Sequence, residues 1–309
     1  MSLFETFVQQ LINGLSIGAM YALLALGFTM VYGIIELINF SHFNIFMAGS
    51  FIALLIMEAM GFRGQAYTLT GLPLVGVMLF TLLATMLITG LMGVLIERIA
   101  LRPMRGVSGT APMITTIGVS YIIFNIVFLT QGANSKNFPN PIPPTQWNFG
   151  EITLRPREVL LWGITVMLML VLQYFVRRTK LGKAMQATAQ DQEAARMVGV
   201  DVDRVVVTTF FIGSALAGAA GFIFGIYYNF TREDIGFQSG LFAFTAAVLG
   251  GIGSIPGAML GGILIGLIKS LGILVVEERW IDVVVFSLLV LVLMFRPTGL
   301  LGIAGPTKS

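Results

Sequence analysis

The side chains that could do covalent, metal or proton chemistry are scarce in this 309-residue chain: there is one histidine, His42, and no cysteine. His42 stands with Asn39, Ser41 and Asn44 in the most polar cluster between two apolar runs. A proton relay there would need acidic partners, and the nearest, Glu36 and Glu58, fall near the ends of those runs. An interfacial polar turn whose side chains satisfy a helix end explains the same residues. One histidine without cysteine or paired carboxylates builds neither a nucleophile–base pair nor a metal set. No GxxxxGK[ST] occurs, so the chain has no phosphate-binding loop of that kind. Neither catalysis nor a cofactor is expected.

Two further segments have a spacing that suits mechanism. In the 177–205 loop, Thr188 followed three residues later by Asp191 is a capping-box pattern, and Gly199 suits the position just past a helix. Between them the spacing predicts a short Ala-rich helix, with Ala194, Ala195 and Val198 grouped on one side. Small side chains on a compact helix suit insertion into another protein's groove. A solvated basic loop accounts for the same composition. The second segment, Gly250-Gly251-Ile252-Gly253-Ser254-Ile255-Pro256-Gly257, should break a helix within or near a membrane. Broken helices free backbone groups, which are tolerated where they are buried in protein or line a water-filled path. A translocation gate is one reading; close helix packing through Gly253, Gly257 and Gly261 is the other. A similar stripe, Gly213, Ala217, Gly221 and Gly225, is explained by packing against a neighbouring helix or a partner subunit.

The elements that must position these residues are set by charge. No Asp, Glu, Lys, Arg or His occurs from Thr6 to Ile35, and the same holds for Gly64–Ile96, Gly106–Ser135, Val205–Thr231 and Ile235–Ile268. A bilayer core of roughly 30 Å is crossed by about 20 apolar residues in a helix. The chain is 56% hydrophobic and 11% charged, far less charged than a soluble domain. It reads as an all-α polytopic membrane protein, one transmembrane domain over 1–309 with eight or nine helices. These fall near 7–34, 43–60, 73–96, 111–130, 158–176, 206–229, 258–275 and 282–296, with a shorter piece at 241–250. Lys269 lies inside one of them, either snorkelling outward or paired within the bundle. No cleavable signal peptide is evident.

Arg98, Arg102 and Arg105 in one loop, with Arg177, Arg178, Lys180, Lys183, Arg196 and Arg204 in another, make nine of the eighteen basic residues. Both loops should therefore be cytoplasmic. The N-terminus, 61–72, 131–157 and 230–240 then face outward, 35–42 faces inward, and 241–250 with 258–275 form a down-and-up pair ending with the C-terminus inside. The Pro-rich 131–157 loop reads as an external cap without regular structure. The net charge of +3 is small and lies in loops, so lipid is expected as a partner and nucleic acid is not.

Several motifs together resemble one family. They are NGLSIGAMYALLALGFTMVYG (13–33), INFSHFNIFMAGS (38–50), ERIALRPMR (97–105), LGKAMQATAQDQEAARMVGV (181–200), FTAAVLGGIGSIPGAMLGG (244–262) and RPTGLLG (296–302). In this order they resemble the branched-chain amino acid permeases of the LivH type, which belong to binding-protein-dependent ABC importers. The resemblance implies that Gly182, Gln190, Asp191, Glu193, Ala194, Ala195 and Gly199 form a coupling helix docked on an ATPase. It places Asn39, His42, Asn44, Gly250, Gly251, Gly253 and Pro256 on the translocation pathway or gate. It further implies two ABC ATPase subunits, a homologous second permease and a periplasmic substrate-binding protein, at a bacterial inner membrane. The solute implied is leucine, isoleucine or valine, although related permeases carry urea, short amides or other amino acids. Phe43 and Asn44 depart from the family's usual Gly and acidic or polar residue. An ion-coupled secondary transporter is disfavoured by the uncharged spans.

Overall fold

Ser2 and Glu5 start the first helix by capping one another, the Ser2 hydroxyl accepting from Glu5 N and the Glu5 carboxylate from Ser2 N. From there α1 (Leu3–Ile35) runs for 33 residues, roughly 50 Å at 1.5 Å per residue. It is longer than the bilayer core it would cross. The structure is a computed structural model and describes residues 2–63, 68–105, 107, 110–296 and 298–302. The helices that follow are α2 (Ser41–Ala59), α3 (Gly71–Ile96), α4 (Ala111–Gln131), α5 (Pro156–Arg178), α6 (Lys180–Gln190), α7 (Gln192–Met197), α8 (Val202–Tyr228), α9 (Ile235–Gly250), α10 (Ile255–Gly272) and α11 (Ile281–Phe295). A π-helical turn (Glu97–Leu101) and a 3-10 turn (Arg102–Met104) continue α3. Among the described residues seven helices are long and apolar enough to span a membrane, and α9 is a shorter apolar one.

Small residues let the central helices touch backbone to backbone, which is how helices pack tightly in lipid. A Cβ on Gly14 would lie 3.0 Å from the Leu267 Cα, and one on Gly18 would lie 2.8 Å from the Ile263 Cα. Along α8 the predicted stripe packs inside this chain: Gly213 lies on Gly27 of α1, Gly221 on Phe46 and Ser50 of α2, and Gly225 on Phe138. No partner subunit is needed to explain it. Most of α1, α2 and α8 is buried, whereas only 17% of the apolar span of α4 and of α5 is. Lys269 is paired within the bundle. Its Nζ lies 3.6 Å from an Asp282 oxygen and 3.5 Å from the Phe242 ring centroid.

Loop contacts define two ends. At one, β1 (Lys136–Asn137) pairs with β4 (Phe230–Thr231), β2 (Trp147–Phe149) with β3 (Ile152–Leu154), and Thr153 N donates to Gln9 Oε1 at 2.8 Å. Leu69 N reaches Pro141 O at 2.9 Å at this same end. The 131–157 cap therefore holds one short β-ribbon and a third strand paired outside it with Phe230–Thr231, where its prolines predict no regular structure. At the other, basic end, Gln192 Nε2 donates to Ile34 O at 2.9 Å and Arg102 pairs with Asp203 at 2.9 Å. The alternation of ends follows the distribution of basic residues.

Two boundaries differ from the sequence reading. Residues 35–42 are not a surface turn, because α2 begins at Ser41 and His42 lies against Leu24. Residues 230–240 are not wholly a loop, because α9 begins at Ile235, with Ile235, Gly236, Ser239 and Gly240 buried and Phe237 exposed. Each segment carries charge, Glu36 in one and Arg232, Glu233 and Asp234 in the other, so hydropathy marks both as surface connections and is silent on how deeply the helices behind them start.

Candidate functional site

Leu24 lies three turns before the basic end of α1, roughly 16 Å along its axis. His42 Nε2 donates to the Leu24 carbonyl oxygen at 3.2 Å, so α2 begins at this depth rather than at the end of α1. The chain turns at Glu36, in left-handed backbone at φ 52°, and returns inward over Leu37–Phe40 before α2 starts. From the other direction, Thr231 is fully buried and hydrogen-bonded to Ser50, and α9 starts beside the first turns of α2. A Cβ on Gly236 would stand 2.5 Å from Asn44 Oδ1, and one on Gly240 would strike the Phe43 ring. The N-termini of α2 and α9 thus meet inside the bundle. From that junction α2 leads outward and α9 leads to the basic end.

The predicted polar cluster surrounds the junction, and it is buried rather than interfacial. Asn39, Ser41 and His42 are 2%, 0% and 1% exposed. Asn39 Oδ1 accepts from Ser41 N at 3.1 Å and from Ser41 Oγ at 2.5 Å. Asn44 donates through Nδ2 to Ser120 O and Ser120 Oγ, both at 2.8 Å, which ties α2 to α4. Asn39 Nδ2, His42 Nδ1 and Thr29 Oγ1 are buried with no hydrogen-bond partner among the described residues. Aromatic rings fill the space between: Phe28 stacks on Phe43 at 6.1 Å and meets Phe244 edge-on at 5.5 Å. Phe43 is therefore a packing residue at this junction.

The Gly/Pro segment sits at the basic end of α9. Gly251 (φ 108°) and Gly253 (φ 88°) adopt the left-handed conformations that a side chain resists. Ser254 then caps α10, its hydroxyl accepting from Gly257 N at 3.2 Å, and Pro256 takes the second helical position, where its missing N–H costs nothing. Gly250 and Gly257 lie backbone to backbone, and Gly261 faces Ala246 O. A Cβ on Gly253 would meet nothing within 4 Å, so that position drops out of the predicted packing stripe with Gly257 and Gly261, although its Cα lies against Gly33 of α1. The carbonyls of Leu249 and Gly250 accept from Leu300 N and Leu301 N, both at 2.9 Å. The chain's own 298–302 segment thus satisfies backbone groups that the break leaves free.

The 177–205 loop is more ordered than its composition suggests. A separate helix, α6, precedes the Ala-rich one, capped by Thr179 and seated by Gly182, where a side chain would strike the α5 backbone. Gln190 is its last residue. The cap of α7 is Asp191 rather than Thr188: Asp191 Oδ1 accepts from Glu193 N at 2.8 Å and from Ala194 N at 3.0 Å. Thr188 is buried within α6 and donates back to Ala184 O. Gly199, at φ 85°, ends α7 as the sequence predicts. The expected grouping of Ala194, Ala195 and Val198 is not observed. Ala195 faces the bundle at 3% exposure, while Glu193 and Ala194 are exposed and Met197 and Val198 are 86% and 79% exposed.

Sequence reasoning missed two clusters. At the basic end, Arg105 pairs with both Glu97 and Asp203 beside a cavity of about 310 Å³. The ERIALRPMR run carried the signal, since a carboxylate flanking three arginines would find partners. At the opposite end, Gln9, Asn13, Arg155, Arg157, Glu158 and Tyr227 line a half-open cavity of about 360 Å³. The Arg157 guanidinium lies 5.5 Å from the Tyr227 ring centroid. Among the described residues no His, Cys, Asp and Glu cluster could hold a metal ion.

The chain matches, over residues 10–294, the family model described as branched-chain amino acid transport system / permease component. It is 42% identical to the high-affinity branched-chain amino acid transport system permease protein BraD of Pseudomonas aeruginosa, covering 96% of each chain. It is 40% identical to the corresponding permease protein LivH of Escherichia coli K12, covering 97% of this chain and 96% of that one. The LivM permease protein of Salmonella typhimurium is 27% identical, over 93% of this chain and 68% of its own. No solved structure matches.

Proposed function

The chain belongs to the family of permease components of branched-chain amino acid transport systems, and we propose that it is the membrane half of an ATP-driven importer of leucine, isoleucine and valine. It is a multi-pass protein of the inner membrane. Its second half is a homologous permease, for which the LivM-like relatives are the pattern. A periplasmic binding protein delivers the solute to the end that carries the 131–157 cap, and two ATPase subunits act at the basic end.

The observation that carries this reading is α7. A capped, glycine-terminated helix presents Met197 and Val198 to solvent on the basic end. Two exposed large apolar side chains on so short a helix suit a groove on a partner protein. Four residues later α8 begins, and it runs past the α2–α9 junction. Movement of α7 therefore reaches the bundle interior along one stiff element.

At the junction, the buried polar atoms of Asn39, His42 and Thr29 supply a few contacts for a zwitterion, with no fixed charge to hold it. Weak contact favours release. Gly250, Gly251, Gly253 and Pro256 form the hinge at the basic end, where α9 can tilt against α10.

The test is the importer assembled in liposomes with its ATPases, second permease and binding protein. ATP-dependent leucine uptake that requires the binding protein is expected. Glu193→Lys and Gly199→Val should abolish uptake without loss of membrane insertion, the second because a β-branched residue resists φ 85°. Undiminished uptake in both variants would remove α7 from the coupling role.

A further inference from the structure

Glu97 is 0% exposed and lies in the π-helical turn that ends α3. One of its oxygens accepts from Arg105, while the other, Oε2, is buried with no partner among the described residues. Arg105 also donates to Asp203, the second residue of α8, and Arg102 donates to the other Asp203 oxygen at 2.9 Å. One guanidinium thus joins the end of α3 to the start of α8, only a few residues beyond Gly199. Beside it lies the cavity of about 310 Å³, with Glu97 and Arg105 on one wall and Gln192 and Arg196 of α7 on another. Besides Ala195, α7 reaches the bundle through the hydrogen bond from Gln192 to Ile34 O. There is room under the helix.

We propose that Asp203, Arg105 and Glu97 form a transmission linkage that makes the basic end of α3 follow the coupling helix. The proposal rests on the reading of α7 as the ATPase contact. A push on α7 reaches α8 through the chain itself; α8 packs directly on α3 up to Gly93, which lies on Ser214 and the Phe210 carbonyl, and these side chains carry the movement on to the end of α3 beyond it. Pulling Arg105 from Glu97 would leave a buried, uncompensated carboxylate, so the pair resists separation. The π-helical turn, a departure from α geometry common at functional sites, is the joint at which the end of α3 bends. The cavity is the clearance into which Gln192 and Arg196 move. Glu97, Arg105 and Asp203 are accordingly positioning residues for transport and touch no solute.

Leucine imported per ATP hydrolysed, in the assembled importer with its binding protein, reads this linkage directly. Glu97→Gln and Asp203→Asn should lower that ratio by about tenfold, within the usual range of coupling between sites, while binding-protein-stimulated hydrolysis continues. An unchanged ratio, or uptake and hydrolysis falling in proportion, would overturn the linkage. A second variant guards against simple misfolding. With Arg102→Cys and Asp203→Cys in a chain that has no other cysteine, transport should be uncoupled, and a bismaleimide of arginine length joining the two should restore it. Uncoupling that persists in the cross-linked, assembled importer refutes the proposal. Should the wild-type assembly itself fail to import leucine, the functional reading fails first, a result distinct from either variant outcome.

Discussion

Asp191 shows how much one side chain decides at the residue scale. Spacing to an acidic residue points to Thr188 as the cap of the Ala-rich helix. The structure uses Asp191, because a second helix occupies 180–190 and absorbs Thr188 into its buried face. Asp191→Ala should therefore cost about 1 kcal/mol of local helix stability and lower uptake several-fold, with Asp191→Ser largely restoring it. Thr188→Ala should leave the α7 cap intact. Hydrogen exchange over 190–200 separates the two, and protection lost in Thr188→Ala but kept in Asp191→Ala would contradict the assignment. His42 and Asn39 were legible as the most polar cluster, but not as buried. Nothing in their own neighbourhood reports that Leu24 lies alongside.

At the scale of elements, helix existence and approximate extent could be read from uncharged runs, because lipid penalises any interruption. The ends of α1, α3, α4, α5 and α8 fall within a few residues of expectation. Depth could not be read. Leu37–Phe40 and Arg232–Asp234 look like surface connections, yet each leads directly into a helix that starts inside the bundle. The glycines of α9 and α10 divide along the same line. Gly261 faces the Ala246 carbonyl and is a packing position, whereas Gly253 needs its positive φ and has open space beside it. Gly261→Ala should prevent closure of the α9–α10 hairpin and abolish recovery of monodisperse protein in detergent. Gly253→Ala carries a backbone cost of about 1–2 kcal/mol and should remain foldable. Size-exclusion profiles check this pair, and equal recovery of both would remove the distinction.

At the scale of the whole molecule, the side of each loop is an expectation from nine basic residues, and the structure gathers 131–157 with 230–231 at one end and 97–105 with 192–203 at the other. Single cysteines placed at Trp147 and Val198, which are 50% and 79% exposed, should react with a membrane-impermeant maleimide from opposite sides in intact and inverted vesicles. Labelling of both from one side would refute the topology. The peripheral α4 and α5 leave Tyr121, Ile122, Leu129, Val171 and Tyr174 exposed, as a surface meant for lipid or a second permease requires. What fills the centre has a different consequence. Phe28, Phe43 and Phe244 form an apolar plug where the starts of α2 and α9 converge, and hydrated ions cross such a plug poorly. Cells that overproduce this chain alone should hold their proton-motive force, so an idle copy is electrically silent.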